Sequence, residues 1–491
     1  MRAAAMGEEK RAQLARARAS QQDRARPEAI AKVHAGGKLT ARERLGVLFD
    51  PGSQVEFGGI AAADASGNWI PEAGGVDRVG RIAGQTVIAS STDYTDHGGG
   101  YGAARLERLM GLAYEHCWPL VLFVDGGGSR ARHPRVGLGH TEITGPLGRF
   151  QLFDGMAELS GRVPTVAVVS GPAFAGHASL AAFSDCVIST PGSSIGMGGP
   201  PMVEAAFGIT VTANELAGAE MQAQRGGIEL LAANEREAIA AARRYLSYLR
   251  DEPSGAAAAD ANGLARLVPD QGPYRMVPVI EALVDEGSFF ELRGAFAASV
   301  RTGFARVAGR ALGVVASEPN VRGGRVDEDA ATKIARFVEI CDRYALPILA
   351  LVDSEGCVRA GATGTQMGTQ TGDGAAPGVS RAHMRPIMVH QHRTTPLIGV
   401  TVRKARDLSL AIFCGPANAR SIPLLHVAWP GVEVGRVDGY TSLRNPNVYD
   451  DIIDPGETRE RVAYMLGCLP PLADRCQRQR SLARSGPIDT W

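Results

Sequence analysis

The sequence predicts an α/β protein built from two tandem copies of one domain, and three observations carry that expectation. First, the chain repeats itself at long range. Val79-Gly-Arg-Ile-Ala-Gly84 recurs as Phe304-Ala-Arg-Val-Ala-Gly309, and Pro119-Leu-Val-Leu-Phe-Val-Asp125 as Pro347-Ile-Leu-Ala-Leu-Val-Asp353. Pro164-Thr-Val-Ala-Val-Val-Ser170 recurs as Pro396-Leu-Ile-Gly-Val-Thr-Val402, and Pro191-Gly-Ser-Ser-Ile-Gly196 as Pro430-Gly-Val-Glu-Val-Gly435. The offsets drift slowly: 225 (309 against 84), 228 (353 against 125), 232 (402 against 170) and 239 (435 against 196). One order with a growing offset indicates a duplicated domain with a few insertions, and so long a period excludes stacked small repeats. Second, continuous Val/Leu/Ile runs alternate with amphipathic segments, the pattern of strands covered by helices on both faces. Third, 491 residues exceed the size a single core sustains.

The elements follow in order. Residues 1 to about 50 read as charged helices with a break at Ala35-Gly-Gly-Lys-Leu-Thr40. Thr40-Ala-Arg-Glu43 is a capping-box pattern, and its helix ends near Asp50-Pro51-Gly52. Gln85–Ser90 reads as a strand, Ala103–His116 as a helix, Leu120–Val124 as a buried strand, Gly155–Leu159 as part of a helix and Val166–Val169 as a strand. Glu235–Leu249 is an amphipathic helix with Ala238, Ala242, Tyr245, Leu246 and Leu249 on one face. The looser stretch Arg250–Tyr274 reads as a linker, which sets the expected domains at residues 1–260 and 261–491. The second copy runs from near Pro278 to about Asp454, and Glu457–Trp491 is expected to be one helix followed by a basic, polar segment.

Composition excludes several function classes. Lys and Arg number 52 against 52 Asp and Glu, so charge gives no reason to expect nucleic acid. No apolar run reaches the roughly 18–20 residues of a membrane helix. The N-terminal Arg/Ala-rich stretch carries Glu8, Glu9 and Asp23 and lacks an apolar centre, which argues against a secretory or mitochondrial signal. Seven cysteines, odd in number and never spaced C-x-x-C, fit a reduced, cytoplasmic compartment and exclude a zinc ribbon.

Three glycine-rich sites stand after buried strands. Asp125-Gly-Gly-Gly-Ser-Arg130 can aim backbone N–H groups into a cleft, as an oxyanion hole does; a tight turn or phosphate nest is the plainer alternative. Ser170-Gly-Pro-Ala-Phe-Ala-Gly-His177 opens a helix at about Ala178, and His177 is either a general base or, more commonly at such a position, a capping or packing residue. Gly192-Ser-Ser-Ile-Gly-Met-Gly-Gly-Pro-Pro201 suits a loop that admits a flat or elongated ligand. No P-loop, G-x-G-x-x-G, H-E-x-x-H or G-x-S-x-G set stands in a supporting context. Asp125 and Asp353 are equivalent in the two copies, which favours a structural role, and Asp327-Glu-Asp329 reads as a helix N-terminal charge cluster rather than a metal site.

With these residues in view, the chain resembles the carboxyltransferase (β) subunits of biotin-dependent acyl-CoA carboxylases, from Gly37-Lys-Leu-Thr-Ala-Arg-Glu-Arg-Leu45 to the region after Trp429-Pro430. The resemblance rests on Gly98-Gly-Gly-Tyr-Gly102, Asp125–Arg130, Ser194-Ile-Gly-Met-Gly-Gly199, Ala305–Ala316, Lys333-Ile-Ala-Arg-Phe337 with Cys341-Asp342, and Val402-Arg-Lys-Ala405. It implies two tandem crotonase-like domains of β-β-α superhelical units, the first binding acyl-CoA and the second carboxybiotin carried on a separate protein. It also implies a homo-oligomer, a hexamer in the family, that works with separate biotin carboxylase and biotin carboxyl carrier chains and uses no metal of its own. By position, Gly127 and Gly128 would supply the first oxyanion hole and the amides of Leu408 and Ser409 the second. Gly98, Gly99, Gly100, Ala175, Gly176, Gly198 and Gly199 would line the acyl-CoA side.

The second copy departs from the family pattern. The family's Arg-Lys-Ala-Tyr-Gly-Gly-Ala-Tyr type string reads Arg403-Lys404-Ala405-Arg406-Asp407-Leu408-Ser409-Leu410, with both glycines replaced. Val-Asp-x-Pro-Gly-Phe becomes Val352-Asp353-Ser354-Glu355-Gly356-Cys357, followed by the polar stretch Ala362–Gly374. Glu220–Gly227 lacks the family's histidine. Two other functions therefore stand beside carboxyl transfer: a biotin-independent acyl-CoA decarboxylase, hydrolase or acyltransferase, and a non-catalytic subunit paired with an active paralogue.

Overall fold

The computed structural model describes residues 2–63, 69–71, 74–95, 104–126, 152–252, 263–359, 376–377, 380–416, 422–435, 449–481 and 488. It divides into two compact units, Met1–Gln222 with Leu230–Arg244, and Ala223–Glu229 with Tyr245–Trp491.

Each unit is built on one main sheet. In the first, β1 (Val55–Phe57), β2 (Gly75–Ile82), β3 (Gln85–Thr92), β4 (Leu120–Phe123), β5 (Thr165–Val169), β6 (Cys186–Ser189) and β7 (Leu230–Leu231) lie side by side in that order. In the second, β8 (Phe290–Leu292), β9 (Val300–Val307), β10 (Arg310–Ser317), β11 (Ile348–Ser354), β12 (Leu397–Arg406), β13 (Leu425–Ala428) and β14 (Asp451–Ile452) do the same, and Glu433–Gly435 pairs beside β12. The first three strands of each sheet pair antiparallel and the rest parallel.

Register repeats as well as order. Ile88 faces Leu120 as Gly313 faces Ile348, and Leu120 faces Thr165 as Ile348 faces Leu397. Val166 faces Cys186 as Ile398 faces Leu425. The sequence offsets 225, 228, 232 and 239 are therefore the offsets of paired positions in space. Three helices recur with the strands: α1 (Ala104–His116), α2 (Leu152–Leu159) and α3 (Gly176–Phe183) in the first unit, α4 (Glu328–Arg343), α5 (Arg381–His392) and α6 (Ser409–Cys414) in the second. The parallel strands β4, β5, β6 and β11 are buried along their whole length, as expected of sheets covered on both faces.

The β2–β3 and β9–β10 hairpins turn on Ala83-Gly84 and Ala308-Gly309. All four residues have φ between 46° and 83°, as a type I′ turn demands, and glycine takes the second place in each. An aspartate holds each turn: Asp50 accepts from Gly84 N–H at 3.2 Å, and Asp285 accepts from Ala308 and Gly309 N–H at 2.9 and 2.8 Å. The residues around these aspartates, Leu48-Phe-Asp-Pro-Gly-Ser53 and Leu283-Val-Asp-Glu-Gly-Ser288, are a further repeat pair.

The capping box forms as expected. Glu43 N–H donates to Thr40 Oγ1 at 3.1 Å and Thr40 N–H to Glu43 Oε2 at 2.9 Å, opening the helix Ala41–Leu48. Asp327 caps α4 through Ala330 N–H at 2.9 Å, the role read for its acidic cluster. Two expectations change. The C-terminal tail is two helices, Thr458–Gly467 and Leu472–Ser481, because Pro470-Pro471 cannot continue the first. The stretch read as a linker contains a short helix, Leu264–Leu267.

Candidate functional site: a strand–turn–helix corner in each copy

In the first copy the candidate site is built outward from Asp125, at the end of β4. Arg44, on the capped helix, reaches Asp125 at 2.5 Å and Glu235 at 2.6 Å, all three side chains being buried. Asp125 Oδ1 accepts from Ser170 and Gly171 N–H at 2.9 and 3.0 Å, and the Asp125 carbonyl accepts from Thr92 Oγ1 at 2.7 Å. Burial alone would raise this carboxyl, but Arg44, the Ser170 amide and Lys38 outweigh it and hold Asp125 below the usual carboxylate range. Asp125 is therefore an anchor: it fixes the end of β4 to the start of the segment after β5.

That segment makes a sharp corner. Ala175 has φ 53° and ψ −120°, a conformation glycine adopts freely and alanine does not, and its N–H donates to the carbonyls of Gly196 and Met197 at 3.1 Å. Gly176 then opens α3. A methyl group on Gly176 would meet only the Phe153 ring, at 3.7 Å, and one on Gly198 only Met202, at 3.9 Å. Neither glycine has a positive φ, so neither packing nor backbone geometry requires it. What the missing side chains leave open is the approach to the backbone. His177 lies over Gly126, where a Cβ would stand 2.3 Å from the ring's Cε1, so the imidazole packs directly on the end of the β4 segment.

The second copy repeats the corner with different residues. Asp353 is the second-last residue of β11, and its carboxylate accepts from Lys404 N–H at 3.2 Å and the Arg403 side-chain Nε at 2.9 Å, where Asp125 accepts from the two backbone amides of Ser170 and Gly171. Here burial wins over Arg403 and pushes the carboxyl up. β12 leads into Asp407, at φ 51°, then Leu408 at φ −89°, ψ 2°, then α6. Asp407 thus sits where Ala175 does, with the same backbone sign. Its carboxylate packs on Gly356, whose added Cβ would be 2.3 Å from Asp407 Oδ2. Arg406 pairs with Glu355 at 2.6 Å and Glu433 at 2.8 Å, and Lys404 meets Glu355 at 2.6 Å. Burial and the Asp407 carboxylate push the Cys357 thiol up to about 12, with the Leu408 amide opposing them. The departures at 355, 357, 406 and 407 therefore form one connected cluster.

Among the predicted residues, Ala175, Gly176, Gly198 and Gly199 are gathered at the first corner: a methyl group on Gly199 would meet Phe174 at 3.6 Å, and Gly199 precedes the helix Pro200–Phe207. Leu408 and Ser409 open the helix of the second corner. Gly98, Gly99, Gly100, Gly127 and Gly128 lie outside the described residues. Sequence reasoning missed Arg44, which pairs with Asp125, and Glu235, which pairs with Arg44; Arg44 directly follows the Thr40–Glu43 box. Among the described residues no helix is long and apolar enough to cross a membrane.

A doubled sheet whose copies each end in a backbone-lined corner defines a crotonase-like carboxyltransferase architecture. The carboxyl transferase domain family matches residues 32–440, and the chain belongs to that family. It is 32% identical over 437 residues to the propionyl-CoA carboxylase beta chain of Saccharopolyspora erythraea, covering 83% of this chain and 76% of that one. The crystal structure of the transcarboxylase 12S hexamer core, solved with methylmalonyl-CoA, aligns over 95% of this chain and 94% of its own, at 27% identity and a TM-score of 0.77. A single-chain, multi-domain long-chain acyl-CoA carboxylase aligns at 30% identity and a TM-score of 0.77, and the chain spans about half its length (49%).

Proposed function

We propose that the protein is the carboxyltransferase subunit of an acyl-CoA carboxylase, moving a carboxyl group from carboxybiotin to the α (or vinylogous γ) carbon of an acyl-CoA thioester. The observation that carries this is the pair of matched corners, with Ala175 at φ 53° and Asp407 at φ 51°, each opening a helix after a buried parallel strand. Backbone amides at such corners can stabilise an enolate or ureido oxyanion without side-chain chemistry. We assign the first hole to the Ala175–Gly176 corner together with Gly127 and Gly128. Leu408 and Ser409 amides would hold the ureido carbonyl of the carboxybiotin that supplies the carboxyl group. The residues of this chain orient the thioester and hold its developing negative charge, while the anchors Asp125 and Asp353 keep each corner in place.

Separate biotin carboxylase and biotin carrier chains, and a homo-hexamer, are the partners this function needs. The test is incorporation of labelled bicarbonate into a panel of CoA thioesters with purified partner proteins. Label in a CoA ester is expected; no incorporation into any ester would overturn carboxyl transfer.

One observation favours a second function. A carboxylate at the second corner, Asp407, opposes an oxyanion there. An acyl-CoA decarboxylase or hydrolase that no longer uses biotin predicts turnover of a malonyl-type CoA without any biotin protein. A non-catalytic subunit predicts no turnover until an active paralogue is added.

A further inference from the structure

Three large apolar side chains stand exposed around the opening of α3: Phe153 is 42% exposed, Met202 64% and Met197 68%. They converge on the small-residue lane of the first corner. Phe153 is the neighbour of Gly176 and Met202 the neighbour of Gly198, at 3.7 and 3.9 Å from the methyl groups those glycines lack. The Met197 carbonyl accepts from Ala175 N–H at 3.1 Å, and Ser179 Oγ on α3 approaches Met197 Sδ at 3.8 Å. Phe153 is held from behind by stacking on Phe183, with centroids 6.4 Å apart. The helix bearing Met202, Pro200–Phe207, has no buried residue and one charged one, Glu204. Water is a poor partner for apolar side chains so exposed around one corner, and methionines are the side chains that best adapt to ligands of varied shape.

We infer that Phe153, Met197 and Met202 form a shelf for the acyl chain of the substrate, so that the protein favours CoA thioesters with an apolar acyl group of several carbons over acetyl-CoA. The inference rests on the acyl-CoA function of the first corner. An acyl chain is the occupant the geometry selects, because the shelf begins at the lane itself. With a thioester carbonyl at Ala175–Gly176, an acyl chain lying along the lane would meet Phe153 beside Gly176 and Met202 beside Gly198.

Calorimetric titration of the full chain with CoA, acetyl-, butanoyl- and hexanoyl-CoA tests it. The expected result is a Kd that tightens about two- to fourfold per methylene, the size of partial to full CH2 burial. Met197→Gln with Met202→Gln should flatten that slope to less than half. Met388→Gln, an exposed methionine of the second unit at 62%, should leave it unchanged. Esters that bind with no dependence on chain length would overturn the shelf and leave the acyl-CoA site standing. Failure of CoA and every ester to bind would overturn the acyl-CoA site, and the shelf with it. A double variant that keeps the slope but changes the sedimentation coefficient would overturn the shelf in favour of a second copy covering it.

Discussion

The two copies share a sheet order, a register and a corner, yet they spend their charges in opposite ways. In the first, a buried arginine meets Asp125 and Glu235 together and holds Asp125 ionised. In the second, the largely buried Arg403 is the ion-pair partner of Asp353 among the described residues, and burial raises its carboxyl instead. At the corners the contrast reverses: the first presents small residues, and the second carries Asp407 and a network of ion pairs among Lys404, Arg406, Glu355 and Glu433. Duplication fixes where the backbone turns, and divergence decides what surrounds it.

The largest expected break falls at the first corner. Gly176→Val should fold as the wild type does, because its Cβ has room beside Phe153. Carboxyl transfer should nevertheless drop by about 10²–10³, the usual cost of losing an oxyanion donor's access. A melting curve with a turnover assay separates the two effects; full activity in this variant would remove Ala175–Gly176 from the site. His177→Ala should cost less than about tenfold, since the ring packs on Gly126, whereas loss of a general base costs about 10²–10⁴.

The anchors give the next contrast, in stability. Arg44→Met leaves two buried carboxylates without their cation and should cost about 3–5 kcal/mol by urea denaturation. Arg403→Met should cost less, about 1–2 kcal/mol, because it removes the cation of one buried carboxylate rather than of two, and Asp353 keeps its hydrogen bond from Lys404 N–H. Their pH dependence has opposite sign. Asp125 is lowered on folding, so its contribution is present above the unfolded value near 3.8 and is lost as pH falls through the lower folded value. Asp353 is raised, so its contribution is greatest in acid and is lost as pH climbs from 3.8 through its folded value. Asp125→Asn should therefore destabilise more at neutral pH than in acid, and Asp353→Asn should reduce the loss of stability as pH climbs above 3.8.

Much of this was legible in the sequence. The repeated strings fall on paired strands, and their drifting offsets match the register because insertions sit between strands, not within them. Thr40–Glu43 named a cap because both bonds of the box are local. What could not be read was long-range pairing: Arg44 finds Asp125 81 residues away and Glu235 191 away, and Arg406 finds Glu355 at a separation of 51. Two departures from a family pattern look independent in a string, whereas here Glu355 and Arg406 compensate each other. The Asp50 and Asp285 clamps were repeated too, but with only Leu, Asp, Gly and Ser in common over six positions.

A third contrast concerns acid. His390 on α5 is fully buried, donates through Nε2 to the Ile412 carbonyl at 3.1 Å, and is pushed down to about 3 by burial and by Arg393. The corresponding helix of the first copy, Leu152–Leu159, contains no histidine. A base lowered on folding costs stability as pH falls below its unfolded value of 6.5, where the unfolded chain gains a proton the folded one refuses. Unfolding free energy should fall by at most about 3 kcal/mol between pH 6.5 and 4, and His390→Gln should remove that slope.

The smallest expected effect is the most pointed. Asp407 holds φ 51°, where a Cβ is strained, so Asp407→Gly should relieve about 1 kcal/mol of backbone cost. Glycine there loses more entropy on folding, which leaves a net change of only about a few tenths of a kcal/mol. Arg406→Ala removes a surface network and should likewise cost under about 1 kcal/mol. The activity of Asp407→Gly is the informative reading. If the second corner stabilises an oxyanion, removing the adjacent carboxylate should raise carboxyl transfer severalfold. If transfer falls instead, the carboxylate takes part in the reaction, and the second corner works by accepting hydrogen bonds or a proton where the first donates them.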